Sequence, residues 1–332
     1  MYKLIESEIP EKKLSQRILN GDLEKIKTYF TTNPTEIKNK LPYDQDLVTF
    51  SIYANQEKIF DWLLSNGAKA GADKQGFTPL HQAAISTNPY YVGKLVKFGL
   101  DINRSNKKTG SPLATVINFI KTAINGVGGS LTLVDKLKRA EDLKDTFKEL
   151  IKYGADVHGF DTDGNEIFIQ AVKYGLTPFV KIMLDKDKSL LKQKIAGYSV
   201  LKIAMNNYRD DMVSLLIDED FDLEFIDVKV FIVNTPDTDL AMRLYNILSE
   251  PLKSQLQIEK MMYIQNGKEK LLRLLERGVK ITDGFVKDNK VREIAEELMN
   301  SSRGTEIAAL GVKNGITEFL PQIAKDIFLF WF

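Results

Sequence analysis

The 332-residue sequence contains no cysteine, which excludes disulfides, thiolate nucleophiles and cysteine-ligated zinc or iron–sulfur centres. Histidine is almost as scarce. Only His81 and His158 occur, so proton shuttles and imidazole metal ligands are in short supply. Neither sign of charge dominates: 46 Lys and Arg stand against 45 Asp and Glu, a formal net charge of +1. A chain that wraps nucleic acid nonspecifically needs a marked excess of cations to neutralise phosphates, so no nucleic-acid partner is expected. Long apolar runs are missing too, and nothing approaches the roughly 18 continuous apolar residues of a bilayer-spanning helix. The N-terminal residues Met1 to Glu8 carry early acids and no apolar centre, unlike a secretory signal. A cytoplasmic location is the default expectation.

What is present is ordinary globular material, 43% apolar, arranged with a period. The anchor is Asp73-Lys-Gln-Gly-Phe-Thr-Pro-Leu-His-Gln-Ala-Ala84, followed by Tyr91-Val-Gly-Lys-Leu-Val-Lys-Phe-Gly99 and Leu100-Asp-Ile-Asn103. Pro112, in Gly110-Ser-Pro-Leu113, lies 33 residues after Pro79, and Gly197 lies 33 after Gly164. The segments Asn66-Gly-Ala68, Phe98-Gly-Leu-Asp101 and Tyr153-Gly-Ala-Asp156 close successive units. This grammar resembles that of the ankyrin-repeat family, whose hallmark is a Gly, then Thr-Pro-Leu-His, then paired alanines. The resemblance implies an all-α solenoid of stacked helix–turn–helix units joined by short β-hairpin loops.

The expected organisation is an N-terminal capping repeat over 1–42, ankyrin repeats over 43–227, and degenerate helical repeats with a C-terminal cap over 228–332. Gly99 and Gly154 are 55 residues apart, about 22 more than the period. An insertion near 125–143, between the two helices of that repeat, accounts for the surplus. Flanking helix–turn–helix segments are read at Ile18–Phe30, Tyr53–Leu64, Gln265–Gly278 and Leu310–Leu320, and Leu240 to Leu248 has helical apolar spacing.

Residue types explain the architecture. Gly76, Gly164 and Gly197 fall where a tight hairpin needs backbone angles that side chains disfavour. Pro79 and Pro112 suit a first helical turn, where a backbone donor has no partner. Ala83, Ala84, Ala171 and Ala204 let helices approach closely. His81 is read as a side chain bonded to loop backbone, not as a catalyst, because buried polar groups need partners.

Candidate chemistry is thin. Asn125-Gly-Val-Gly-Gly-Ser130 follows a helix instead of a strand, so it is a linker and not a phosphate cradle. Asp161-Thr-Asp-Gly-Asn165 lacks the Gly and Glu that a calcium loop requires at its sixth and twelfth positions. No Ser-His-Asp or paired-carboxylate arrangement is discernible, and no cofactor or metal is expected.

Two features bear on partners. Between Asp210 and Asp227 there are eight acids and no Lys or Arg. Asp218, Glu219, Asp220 and Asp222 form its centre, and it reads either as a solvated face or as a patch that steers a basic partner protein. The tail Ile327-Phe-Leu-Phe-Trp-Phe332 reads as a cap on the last repeat, with an exposed anchor for a partner groove or a membrane surface as the alternative.

The ankyrin resemblance further implies that a partner docks on the concave side, against hairpin tips and the exposed face of each first helix. By motif position those residues are Lys74, Gln75, Phe77, Ile85 and Ser86, then Lys107, Lys108, Asn118 and Phe119. Thr162, Asp163, Lys173 and Tyr174 follow, and then Tyr198, Asn206 and Asn207. Phe77, Phe119, Tyr174 and Tyr198 are the candidate aromatic anchors. The function implied is a non-enzymatic protein-binding module that inhibits, neutralises or scaffolds a partner, of the immunity-factor, counter-defence or effector type. The rival reading is an enzyme or membrane-associated effector, with residues 228–332 as a small helical domain delivered by the repeats.

Overall fold

The computed structural model describes residues 10–39, 41, 45–124, 133–219, 225–235 and 237–253. The Gly-rich loop at 125–130, the repeats expected within 258–320 and the tail Ile327–Phe332 lie outside these residues.

Two compact units divide the chain after Val200. The sequence instead expected a break at 228, a position that falls inside a helix, Phe225–Asn234. The first unit is a succession of antiparallel helix pairs: α1 (Pro10–Leu19) with α2 (Leu23–Thr32), and α3 (Leu47–Tyr53) with α4 (Glu57–Ser65). Next come α5 (Pro79–Ala84) with α6 (Tyr90–Lys97), α7 (Pro112–Ile124) with α8 (Leu133–Lys152), and α9 (Ile167–Lys173) with α10 (Thr177–Lys186). A 3-10 turn at Lys188–Lys192 leads into a hairpin of β1 (Lys194–Ile195) and β2 (Tyr198–Ser199), paired antiparallel with Lys194 opposite Ser199.

Local chemistry starts these helices where they start. The Asp46 carboxylate accepts the backbone N–H of Thr49 at 2.7 Å, capping α3, which satisfies a donor that the first turn leaves orphaned. Thr78 and His81 form a reciprocal capping box at the start of α5, with Pro79 in the first turn. Most of these helices are too short to persist alone, so their stability comes from packing. The first helices α1, α3, α5, α7 and α9 pack one against the next, and α6, α8 and α10 form a second succession. Ala83, Ala84 and Ala171 are fully buried between them. Aromatic pairs link the second helices: Phe30 stacks on Trp62 at 5.9 Å, and Phe60 meets Tyr91 edge-on at 4.9 Å. Phe147 meets Phe179 edge-on at 4.9 Å. Each such buried large side chain contributes about 1.5–3 kcal/mol relative to exposure.

The surplus of the fourth repeat lengthens its helices. Helix α7 has 13 residues and α8 has 20, against 6 and 8 in the preceding pair. Most of the insertion expected over 125–143 is therefore helix, and Leu143 belongs to the core. The physical reason is economical: continuing a helix adds one backbone bond per residue fixed, whereas a loop adds none.

The second unit continues the grammar with α11 (Val200–Asn206) and α12 (Asp210–Asp218), then α13 (Phe225–Asn234), α14 (Thr238–Ile247) and α15 (Glu250–Lys253). Ala204, Met212, Val213, Leu216, Leu240 and Leu244 are buried. Asp237 caps α14 by accepting the N–H of Leu240 at 2.9 Å. Among the described residues no helix is long and apolar enough to cross a membrane.

Candidate protein-binding site

Three hairpin loops of the first unit carry the site, and each is built by a side chain that folds back on its own turn. The Asp73 carboxylate accepts the N–H groups of Gln75 and Phe77, both at 2.8 Å. The Asn106 amide oxygen accepts those of Lys108 at 2.7 Å and Thr109 at 2.9 Å. Asp161 accepts from Asp163 and Asn165, both at 2.9 Å. Short side chains at turn starts favour this local bonding. The tips are thereby fixed, with Lys74, Gln75, Lys107, Lys108, Thr162 and Asp163 all exposed.

Neighbouring tips are also stitched together. The backbone N–H of Lys107 donates to the carbonyl of Gln75 at 3.1 Å. The Thr162 hydroxyl donates to the carbonyl of Lys108 at 3.4 Å. The hairpins approach this closely because of two glycines. A Cβ at Gly76 would lie 3.3 Å from the Asn106 Cα, and one at Gly110 would lie 3.0 Å from the Phe160 carbonyl oxygen.

Beneath the tips, His81 locks one repeat to the next. Its Nδ1 accepts the backbone N–H of Thr78 at 3.0 Å, so the proton sits on Nε2, which donates to the Gly110 carbonyl at 3.0 Å. Burial pushes the imidazole pKa below its ordinary value, with the Gly110 carbonyl partly opposing the shift. The neutral ring is the bonded form, which matches the reading of His81 as a structural residue.

The remaining candidates divide. Phe77 is half-buried with its ring tilted on His81 at 5.2 Å, so it is packing and not a free anchor. Ile85 is half-buried at the end of α5. Ser86 serves as a joint, its hydroxyl donating to Ala83 and its carbonyl accepting the buried Thr146 hydroxyl of α8 at 2.9 Å. Asn118 donates to the carbonyl of Thr109 at 3.0 Å, tying α7 to its hairpin, and Phe119 is half-buried. Lys173 is exposed, while Tyr174 is half-buried with the Lys121 ammonium 5.7 Å from its ring centre. Tyr198 is exposed on β2.

Asn206 and Asn207 belong to the second unit, where Asn207 donates to the Ile203 carbonyl at 2.8 Å. Asp218 is there too, in an ion pair with Arg243 at 2.6 Å. A count along the acidic stretch could not see that cation, which comes from another helix. Glu219 is half-buried, and Asp220 and Asp222 lie outside the described residues.

The sequence reading also missed Phe160 and Arg104. Phe160 sits at the base of the third of these hairpins, bridged to Glu166, with 56% of its surface exposed. Its neighbour Asp161 was singled out only as a failed calcium ligand. Arg104 is exposed just before Lys107 and Lys108, and the run Arg-Ser-Asn-Lys-Lys was the signal available.

A separate groove of about 450 Å³ lies between α6 and α8, lined by Tyr90, Lys94, Glu149 and Tyr153. Its polar groups are committed to one another: Tyr90 donates to Asp61 at 2.5 Å, and Lys94 pairs with the same carboxylate at 3.3 Å. Burial, followed by the bond to Asp61, raises the Tyr90 pKa, so its hydroxyl stays a donor. Among the described residues no cluster of His, Asp or Glu is arranged to hold a metal ion.

Comparison with known proteins agrees with this architecture. A model of ankyrin repeats, in three copies, matches residues 14–106. Among solved structures, the chain is similar to the ankyrin repeat domain of Bcl-3, a member of the IkappaB protein family. That match has a TM-score of 0.50 and 19% identity, and covers 63% of this chain and 86% of that one. In all, 361 chains of known structure match, so the fold is too widely shared to single out a partner. No curated protein matches the chain by sequence.

Proposed function

We propose, from the premise that this chain is an ankyrin-repeat protein, that it acts without chemistry of its own by gripping another protein along the hairpin tips of its first unit. The observation that carries this reading is the stitching of exposed tips, Gln75 to Lys107 and Lys108 to Thr162, beside the exposed ring of Phe160. A surface whose loops are hydrogen-bonded to one another loses little freedom when a partner docks, which leaves more of the contact energy as affinity. An exposed aromatic beside polar, solvated groups is the composition from which binding hot spots are made. Occupying a partner's surface in this way would inhibit, neutralise or scaffold it, as in an immunity factor, a counter-defence inhibitor or an effector.

The test is site-specific photocrosslinking in the full-length chain within its native source. A photoreactive residue at Gln75 or Lys108 should yield one discrete adduct with a partner protein. The same residue at Lys25, exposed on α2, should not. Adducts at Lys25 alone, or a smear without a defined product from either tip, would remove the hairpin tips as the docking surface.

A further inference from the structure

The charge of the first two hairpins is far from balanced, although that of the whole chain is. Residues 73–77 and 104–110 contain four Lys and Arg, Lys74, Arg104, Lys107 and Lys108, against one acid, Asp73, with Asp101 shortly before the second hairpin. Both aspartates fold back on their own turns: Asp73 accepts from Gln75 and Phe77, and Asp101 accepts the N–H of Asn103 at 2.9 Å. In the next hairpin Asp161 is buried and does the same, while Asp163 is exposed. The carboxylates of the first two loops are therefore consumed in shaping turns, while Arg104, Lys107 and Lys108 stay exposed. None of those three cations forms an ion pair among the described residues. Lys74 stands exposed on the adjoining tip, fixed alongside by the Lys107-to-Gln75 bond.

We infer that this cluster binds a carboxylate-rich segment of the partner protein, an inference that rests on the tip row being the docking surface. It reverses the charge expected of the partner from the acidic stretch at 210–227. An acidic protein segment suits the patch better than nucleic acid because the positive run is short. Asp163 is exposed beside Lys108, at the tip that Thr162 ties to it, and ends the run after two hairpins. A polyphosphate track needs cations repeated along the backbone, whereas a few clustered carboxylates need only a few clustered cations. Guanidinium and ammonium groups on one loop offer both bidentate and point-charge contacts to such a segment. Complementary fields of this kind act chiefly on partner choice and encounter rate.

The experiment uses the full-length chain and three fluorescent probes of matched length: a glutamate-rich peptide, a lysine-rich peptide and a single-stranded oligonucleotide. Anisotropy titrations at low and at raised salt compare wild type with the Arg104→Glu/Lys107→Glu/Lys108→Glu variant. A Lys144→Glu/Lys148→Glu/Lys152→Glu variant on α8 controls for net charge, and circular dichroism confirms that both variants fold. The glutamate peptide should bind wild type and the α8 variant alike. Reversal of the loop cations should weaken that binding about tenfold or more, the product of several exposed pairs of modest individual worth. Preference for the oligonucleotide, indifference to peptide charge, or equal loss in both variants would overturn the inference. If tip photocrosslinking still captures a discrete protein whose binding ignores both loop reversal and salt, the binding module survives and its acidic partner does not.

Discussion

Nε2 of His81 donates to the carbonyl of Gly110 across 29 positions of sequence, at 3.0 Å, and so joins the start of one helix pair to the hairpin of the next. The ring is fully buried, and its other nitrogen is satisfied within its own repeat by Thr78. His81→Ala should therefore strip bonding partners from Thr78 and Gly110 and leave a cavity, costing about 3 kcal/mol. Urea denaturation followed by circular dichroism measures this. A loss within about 0.5 kcal/mol, the range of ordinary surface substitutions, would mean the two repeats are not joined through this ring.

The same ring makes stability depend on pH. Burial holds its folded pKa below the ordinary 6.5, so the unfolded chain binds the proton more readily. Its contribution is complete above pH 6.5 and is lost as pH falls from there through the lowered folded value. Protonation would also turn Nδ1 from acceptor into donor against the Thr78 N–H. Melting temperatures between pH 7.5 and 5 should fall in wild type and fall less steeply in His81→Gln, after subtraction of the common carboxylate background. Parallel curves would contradict the assignment.

Glycine substitutions separate backbone cost from packing cost. Gly67 and Gly110 have nearly the same left-handed φ, 81° and 80°. Nothing lies within 4 Å of a Cβ at Gly67, while a Cβ at Gly110 would crowd the Phe160 carbonyl at 3.0 Å and the Ala114 Cβ at 3.1 Å. Gly67→Ala should cost only the conformational penalty, about 1–2 kcal/mol. Gly110→Ala should cost about 1–3 kcal/mol more from overpacking. Equal losses would show that the hairpins are not in the contact described.

Tyr208 offers a stabilising change. It holds φ at 53°, costly for a bulky side chain, and its side chain is 74% exposed with no packing to offset that cost. Asn55 occupies the equivalent bend between α3 and α4, with φ at 52°. Tyr208→Asn should raise stability by about 0.5–1 kcal/mol, readable as a higher urea midpoint. A lower midpoint would mean the ring is held by contacts that its exposure hides.

The pair of His158 and Asp187 lies at 2.8 Å. That bond, with those from Ser189, depresses the Asp187 pKa to about 2. Its contribution is therefore present above the ordinary carboxylate value and is lost as pH falls from there through about 2. NMR titration of the Asp187 carboxylate should report the low value in wild type. The His158→Ala variant should move it upward; an unchanged midpoint would assign the shift to Ser189 alone.

Much of this was written in residues whose type admits few uses. The Gly76, Pro79 and His81 cluster announced a hairpin, a helix start and a bonded imidazole, and each is found in place. Ala83, Ala84 and Ala171 marked close helix contacts for the same reason. What could not be read was anything decided by partners remote in sequence. Arg243 meets Asp218 from another helix, and the half-buried Phe77 ring lies tilted on His81. The surplus expected between the two helices of the fourth repeat is helix from Leu133 onward, since a count of residues does not distinguish a connection from a lengthened helix. Phe160 was overlooked because exposure is not a property of an amino-acid type.

The bonds from Lys107 to Gln75 and from Thr162 to Lys108 also have a kinetic meaning. A loop that must order before it can bind imposes a waiting step, and its association rate then stops rising with partner concentration. Tips already hydrogen-bonded to one another impose no such wait, so capture along this row should be limited by encounter. Observed rates should then climb linearly with concentration, and differences among related partners should appear in how long each stays bound.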